Sequence, residues 1–125
     1  MEKQYTFSDL CHILEVLRGE NGCPWDKVQT HESLREAMLE EAYEAVDAID
    51  RKDHANLCEE LGDVLLQVVF HANLAAEEGI FTMDDVLRGI CEKMIYRHPH
   101  IFADAKADTP EEVLENWVAL KKKEK

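Results

Sequence analysis

Between Leu39 and Asp63 lie nine acidic residues, and four of them, Glu41, Glu44, Glu60 and Asp63, sit where ordinary surface acids would not. On a helix turning about 100° per residue, Leu34, Ala37, Ala45 and Ala48 fall within about 40° of Glu41. That puts a carboxylate in the middle of an apolar stripe, with Glu44 at its edge. An ionised glutamate there is costly unless it is paired or metal-bound. In the next segment Asn56, Glu60, Asp63, Gln67 and His71 share one side. Leu61, Val64, Leu65, Leu66, Val68, Val69 and Phe70 occupy the rest of the cylinder. A helix apolar nearly all round reads as buried, with its polar stripe facing an internal polar site.

Glu41 and Asp63 are equidistant from Lys52, and so are Glu44 and Glu60. If the chain turns at Lys52, an antiparallel helix hairpin brings the four carboxylates together about 12 Å from the turn. Such a cluster repels itself and will not ionise fully without a counter-charge. A donor set made only of oxygens selects hard cations, Mg2+ first and Mn2+ as a substitute. No histidine stands three residues after these acids, so the Glu-x-x-His signature of di-iron bundles is missing. Glu40, Asp47 and Asp50 read instead as solvated surface acids.

Cationic partners come from elsewhere. Lys93 and Arg97 are one turn apart and share a face with Val86 and Ile90. They suit phosphate oxygens, Arg as a fork and Lys as a point charge. They also suit a pair whose stems cover apolar surface. Trp25 can stack on a nucleobase or plug the core beneath a loop, the commoner use. Lys27 can reach a phosphate. His98 and His100 flank Pro99 and read as a structural corner, since a zinc site would need further ligands.

The elements that must position these groups are all helical. A first helix is predicted from a Ser8 cap to about Gly19. "GENGCPWDKVQTH" reads as a long loop. Ser33 with Glu36 gives a capping-box pattern for a second helix running to about Arg51. Asp53 caps a third, from His54 to about Glu78, which Gly79 stops. Thr82 with Asp85 opens a fourth, which Pro99 ends. The loop "IFADAKAD" follows. Thr109, Pro110 and Glu112 open the last helix. No segment alternates as a strand does, so the fold class is all-α, a helical bundle built around the antiparallel hairpin.

At 125 residues the chain reads as one domain, 1–125, able to bury its own core. With 27 acidic against 14 basic residues its formal charge is −13, which excludes nucleic-acid binding by bulk attraction. A polyphosphate ligand would need a metal ion to invert the local sign. Four dispersed cysteines without a C-x-x-C pair point to reduced thiols and a cytoplasmic location. The first ten residues lack a signal-peptide core, and no apolar run is long enough for a membrane span. The apolar circumference of the third helix exceeds what so small a chain can cover, which predicts a homodimer or homotetramer.

"GCPWDKVQTHESLREAMLEEAYEAVDAI", "ELGDVLLQVVFHANLAAEEGIF", "EKMIYRHPHIF" and "NWVALK" resemble the MazG family of nucleoside triphosphate pyrophosphohydrolases, from about Leu14 to Lys121. The motifs are E-E-x-x-E at Glu40 to Glu44, E-x-x-D at Glu60 to Asp63, and K-x-x-x-R-H-P-H from Lys93. The resemblance implies an all-α dimer with the metal-bearing hairpin near the subunit interface. It implies Mg2+-dependent hydrolysis of a nucleoside triphosphate to monophosphate and pyrophosphate. Carried over by motif, Glu41, Glu44, Glu60 and Asp63 are metal ligands, and Lys93 and Arg97 are the basic pair near the phosphates. Glu40 matches the first acid of its motif, pointing about 100° from Glu41 on the helix. Glu44 is one candidate for the general base. The family occurs singly, in tandem and fused, so the chain is a whole protein or one domain. Two rivals are a phosphoribosyl-ATP pyrophosphohydrolase, against which Cys23-Pro24-Trp25 speaks, and a non-catalytic nucleotide-binding or dimerisation module.

Overall fold

The computed structural model describes residues 3–104 and 106–123. Seven helices follow one another among them: α1 (Phe7–Arg18), α2 (Pro24–Lys27), α3 (Arg35–Asp50), α4 (His54–Glu77), α5 (Met83–Arg97), α6 (Pro99–Phe102) and α7 (Pro110–Lys123). The chain divides into two compact units, 1–83 and 84–125.

In the first unit α3 and α4 form an antiparallel hairpin, and α1 packs across α4. Leu14 of α1 meets Leu34 and the α4 residues Val69, Phe70 and Leu74 in the core, with Leu10, Cys11, Leu66 and Met83 around them. The turn falls where the carboxylate symmetry places it. Lys52 N–H donates to the Ile49 carbonyl at 3.1 Å and Asp53 N–H to the Ala48 carbonyl at 3.0 Å. These two bonds close a Schellman motif, and Lys52 occupies its left-handed position at φ 56°. Asp53 then caps α4, its side chain accepting from the Asn56 N–H at 3.1 Å. The other end of α4 closes the same way. Gly79, at φ 72°, donates to Ala76, and Ile80 donates to Ala75.

The helix starts differ from the sequence reading in two places. α1 begins under a Thr6 cap rather than Ser8, because Thr6 and Asp9 bond each other's backbone N–H in a capping box. Ser33 does not cap α3. It pairs reciprocally with Thr30 in the preceding turn, and α3 starts after Leu34 with no side-chain cap. Two segments expected as loops contain helical turns, α2 behind Pro24 and α6 behind Pro99, since proline at the first position favours a turn. In α6 the turn takes in Ile101 and Phe102.

The segment between α1 and α3 is tied down by Arg18. Its guanidinium forks onto both oxygens of Glu77, at 2.6 and 2.8 Å, and donates to the Asp26 and Gln29 carbonyls. Its charge also lies 5.8 Å from the centre of the Phe70 ring. A Cβ on Gly22 would collide with the Leu17 carbonyl, so glycine alone fits that close approach.

In the second unit His98 Nδ1 donates to the Met94 carbonyl at 2.6 Å, and its ring meets Trp117 edge-on at 5.2 Å. Thr109 accepts from the Glu112 N–H at 3.2 Å and starts α7.

Candidate metal centre

α3 contributes Glu41 from the stripe that packs on α4, where Leu34, Ala45 and Ala48 are all buried. α4 contributes Glu60 and Asp63 from its polar side. The expectation that α4 is buried all round does not hold within the chain. Around residues 60–67 the polar stripe is the covered side, with Glu60 and Gln67 each 8% exposed, while Leu61 and Leu65 are 54% and 41% exposed. The hairpin therefore shelters carboxylates and presents leucines to the outside.

Glu41, Glu60 and Asp63 each offer an oxygen, all within 4.8 Å of one another. Glu44 is exposed and stands outside this trio, beside both other glutamates. Its hydrogen bond is the largest influence lifting Glu60 to about 7, followed by burial and the charges of Glu44, Asp63 and Glu41. Burial first, then the charges of Glu44 and Asp63, raises Glu41. Glu41 Oε2 and Glu60 Oε2 are buried without a hydrogen-bond partner. Buried acceptors left bare, among acids that resist ionisation, fit a cation, and an all-carboxylate donor set fits a hard one. The trio could hold such an ion. Glu40, Asp47 and Asp50 are exposed. Asp47 pairs with Arg51 at 2.9 Å.

The other candidates divide between the units. Trp25 lies on α2 and is 60% exposed, so it does not plug the core. Lys27 donates to the Glu20 carbonyl at 2.9 Å. Lys93 and Arg97 sit one turn apart on α5 in the second unit, Lys93 exposed and Arg97 half-buried. Ile90 on the same face is 46% exposed, so that face is not an interior one.

Two features escaped sequence reasoning. His31 and His71 bring their Nδ1 atoms to 2.7 Å with rings stacked at 5.0 Å. Burial and then the charge of His31 lower the pKa of His71. His71 was visible on the polar stripe, but nothing in the sequence marked the loop residue His31 as its partner. The second is a groove beside the acids, lined partly by Tyr43 and Arg51, neither of which carries a motif signal.

The profile of the MazG nucleotide pyrophosphohydrolase domain matches residues 29–102. The chain is 54% identical over 121 residues to the uncharacterized protein YabN of Bacillus subtilis, covering 97% of this chain and 25% of that protein. It is 50% identical over 119 residues to the nucleoside triphosphate pyrophosphohydrolase/pyrophosphatase MazG of Thermotoga maritima, covering 95% of this chain and 45% of that one. The nucleoside triphosphate pyrophosphohydrolase of Escherichia coli K12 is 49% identical over 93% of this chain and 44% of its own length. The crystal structure of a MazG-related protein from Thermotoga maritima superposes with a TM-score of 0.75 at 30% identity, covering 92% of this chain and 98% of that one. The all-helical architecture thus has a relative among solved structures, and the chain belongs to the MazG nucleotide pyrophosphohydrolase domain family. It spans between a quarter and a half of these curated relatives' lengths.

Proposed function

We propose that the chain hydrolyses nucleoside triphosphates, ribo- or deoxy-, to the monophosphate and pyrophosphate, working as one domain over residues 1–125. The observation that carries the reading is the pair of buried, unpartnered oxygens on Glu41 and Glu60 inside a three-acid group. Relatives named as nucleoside triphosphate pyrophosphohydrolases supply the reaction type.

Glu41, Glu44, Glu60 and Asp63 would hold Mg2+, with Mn2+ as a substitute. Bound there, the ion would supply positive charge to the triphosphate and acidify water. Glu44, exposed at the edge of the group, would take the proton from the water that attacks the α-phosphorus. Lys93 and Arg97 would steady the charge on the departing pyrophosphate. Trp25 and Lys27 would add substrate contacts from the segment before α3, Trp25 on the base and Lys27 on a phosphate.

The protein would act as a homodimer or homotetramer in the cytoplasm, with no nucleic-acid or membrane partner. Among the described residues no helix is long and apolar enough to cross a membrane. The test is pyrophosphate release from a panel of nucleoside triphosphates with Mg2+ and with chelator. Release that requires the metal, together with its loss in Glu41→Gln, is the expected result. Full turnover by Glu41→Gln or Asp63→Asn would overturn the ligand assignment.

A further inference from the structure

We infer that Gln67 is a positioning residue of the metal centre: its side-chain carbonyl accepts a hydrogen bond from the hydration shell of a cation held by Glu41, Glu60 and Asp63. The inference rests on the metal-site reading above and adds to it a neutral residue outside the four acids.

Gln67 is covered yet unsatisfied. It is 8% exposed, and its Oε1 is buried without a hydrogen-bond partner. Leaving a covered amide unpaired is costly, and methionine would fill the same volume without that cost. A buried acceptor of this kind points to a partner from outside the chain, a water or an ion.

The hairpin register leaves one direction for that partner. Glu41 and Asp63, equidistant from Lys52, share the acid group, and Leu34 and Phe70, also equidistant, share the apolar core. Gln67 lies between these two levels on α4. The matching position of α3 is Ala37, whose side chain has no polar atom. One turn on, toward the core, stands His71. Its Nδ1 is 2.7 Å from that of His31, and its Nε2 is itself buried without a partner, so no bond joins it to Gln67. One turn back stands Asp63, and Glu60 lies beyond it. Residues four apart are neighbours on a helix surface, their Cβ atoms about 5–6 Å apart. Side chains also lean toward the N-terminus of their helix, which carries Gln67 over the turn of Asp63 and away from His71.

Chemistry selects the partner. Oε1 is an acceptor, and ionised carboxylates are acceptors too, so the acids cannot satisfy it. A donor is needed beside them. Mg2+ keeps several of its waters when carboxylates bind it, and its charge makes those waters strong donors. A hydrogen bond of this kind, one shell out from the ion, holds the ion and its ligands in place.

The test uses the full chain at pH 8 and two variants, Gln67→Met, which keeps the volume, and Gln67→Glu, which keeps the acceptor. Three quantities are read: Mn2+ affinity by electron paramagnetic resonance, thermal unfolding in chelator, and pyrophosphate release as a function of Mg2+ concentration. Gln67→Met should unfold about 2–8 °C above wild type in chelator, because the unpaired amide is gone. It should bind Mn2+ about 10–100-fold more weakly, and the Mg2+ concentration for half-maximal release should rise by the same factor. Gln67→Glu should hold Mn2+ at least as tightly as wild type. A packing role predicts the reverse, with Met harmless and Glu disruptive. A Gln67→Met chain with wild-type Mn2+ affinity, or one that unfolds below wild type in chelator, overturns the inference and leaves the metal site standing. Equal loss of affinity in both variants also overturns it, since shape alone would then matter. If wild type binds Mn2+ but releases no pyrophosphate, the hydrolase reading falls, and the two variant affinities still decide Gln67. Wild type that binds no Mn2+ overturns the metal site and the part of Gln67 in it together.

Discussion

Glu60 carries a direct consequence of the crowded carboxylates. Its folded-state pKa of about 7 stands above the ordinary value of 4.5, with the Glu44 hydrogen bond as the main cause. An acid raised on folding keeps its proton longer in the native state than in the unfolded chain. Without metal, stability therefore falls as pH rises from about 4.5 to about 7, and Glu41, raised by burial, pushes the same way. Thermal unfolding in chelator across that range should show a declining Tm. Glu60→Gln should flatten the slope and unfold at a higher temperature than wild type at pH 8. Adding Mg2+ should restore Tm for wild type alone, because the cation replaces the proton. At this scale the sequence was informative where an acid violated its surroundings. Glu41 in an alanine stripe and Glu60 on a mostly apolar helix were both legible. His31 was not, because its partner lies 40 residues away and no periodicity connects a loop to a helix.

The hairpin is the element on which the site depends. Lys52 closes it in a left-handed conformation that a Cβ disfavours. Lys52→Gly should stabilise the protein by about 0.5–1 kcal/mol in urea unfolding, without changing the carboxylate spacing. Arg18 is the clamp that holds the segment before α3 against α1 and α4. Its side chain is 10% exposed, and it bonds a carboxylate and two carbonyls. Arg18→Ala should cost about 1–3 kcal/mol, read by the same measurement, because the Asp26 and Gln29 carbonyls are left behind part-buried while the exposed Glu77 returns to water. The hairpin register was readable from two symmetric acid pairs, and Asp53 and Gly79 marked the ends of α4. Ser8 misled because a capping pattern is local and the backbone used Thr6, two residues upstream, instead, while Ser33 is taken up by Thr30 and α3 starts without a side-chain cap. The order within 19–34 was hidden because a long-range contact, Arg18 with Glu77, contributes to it.

For the whole molecule, the exposed leucines are as informative as the buried acids. Leu39, Val46 and Ile49 on α3 are 53%, 52% and 57% exposed in the single chain, alongside Leu61 and Leu65 on α4. Apolar area of this kind on both hairpin helices supports the proposed self-association. Sedimentation should give a dimer or tetramer, and Leu61→Glu should shift it toward monomer. A wild-type monomer at micromolar concentration would count against the proposal. The central claim is that the sheltered carboxylates form a catalytic metal site. Pyrophosphate release from a nucleoside triphosphate panel, with Mg2+ and with chelator, for wild type and Glu60→Gln, tests it most directly. The account predicts metal-dependent release of pyrophosphate with the matching monophosphate, and its loss in the variant. A folded wild-type protein that releases none, or a Glu60→Gln variant that turns over normally, would contradict it.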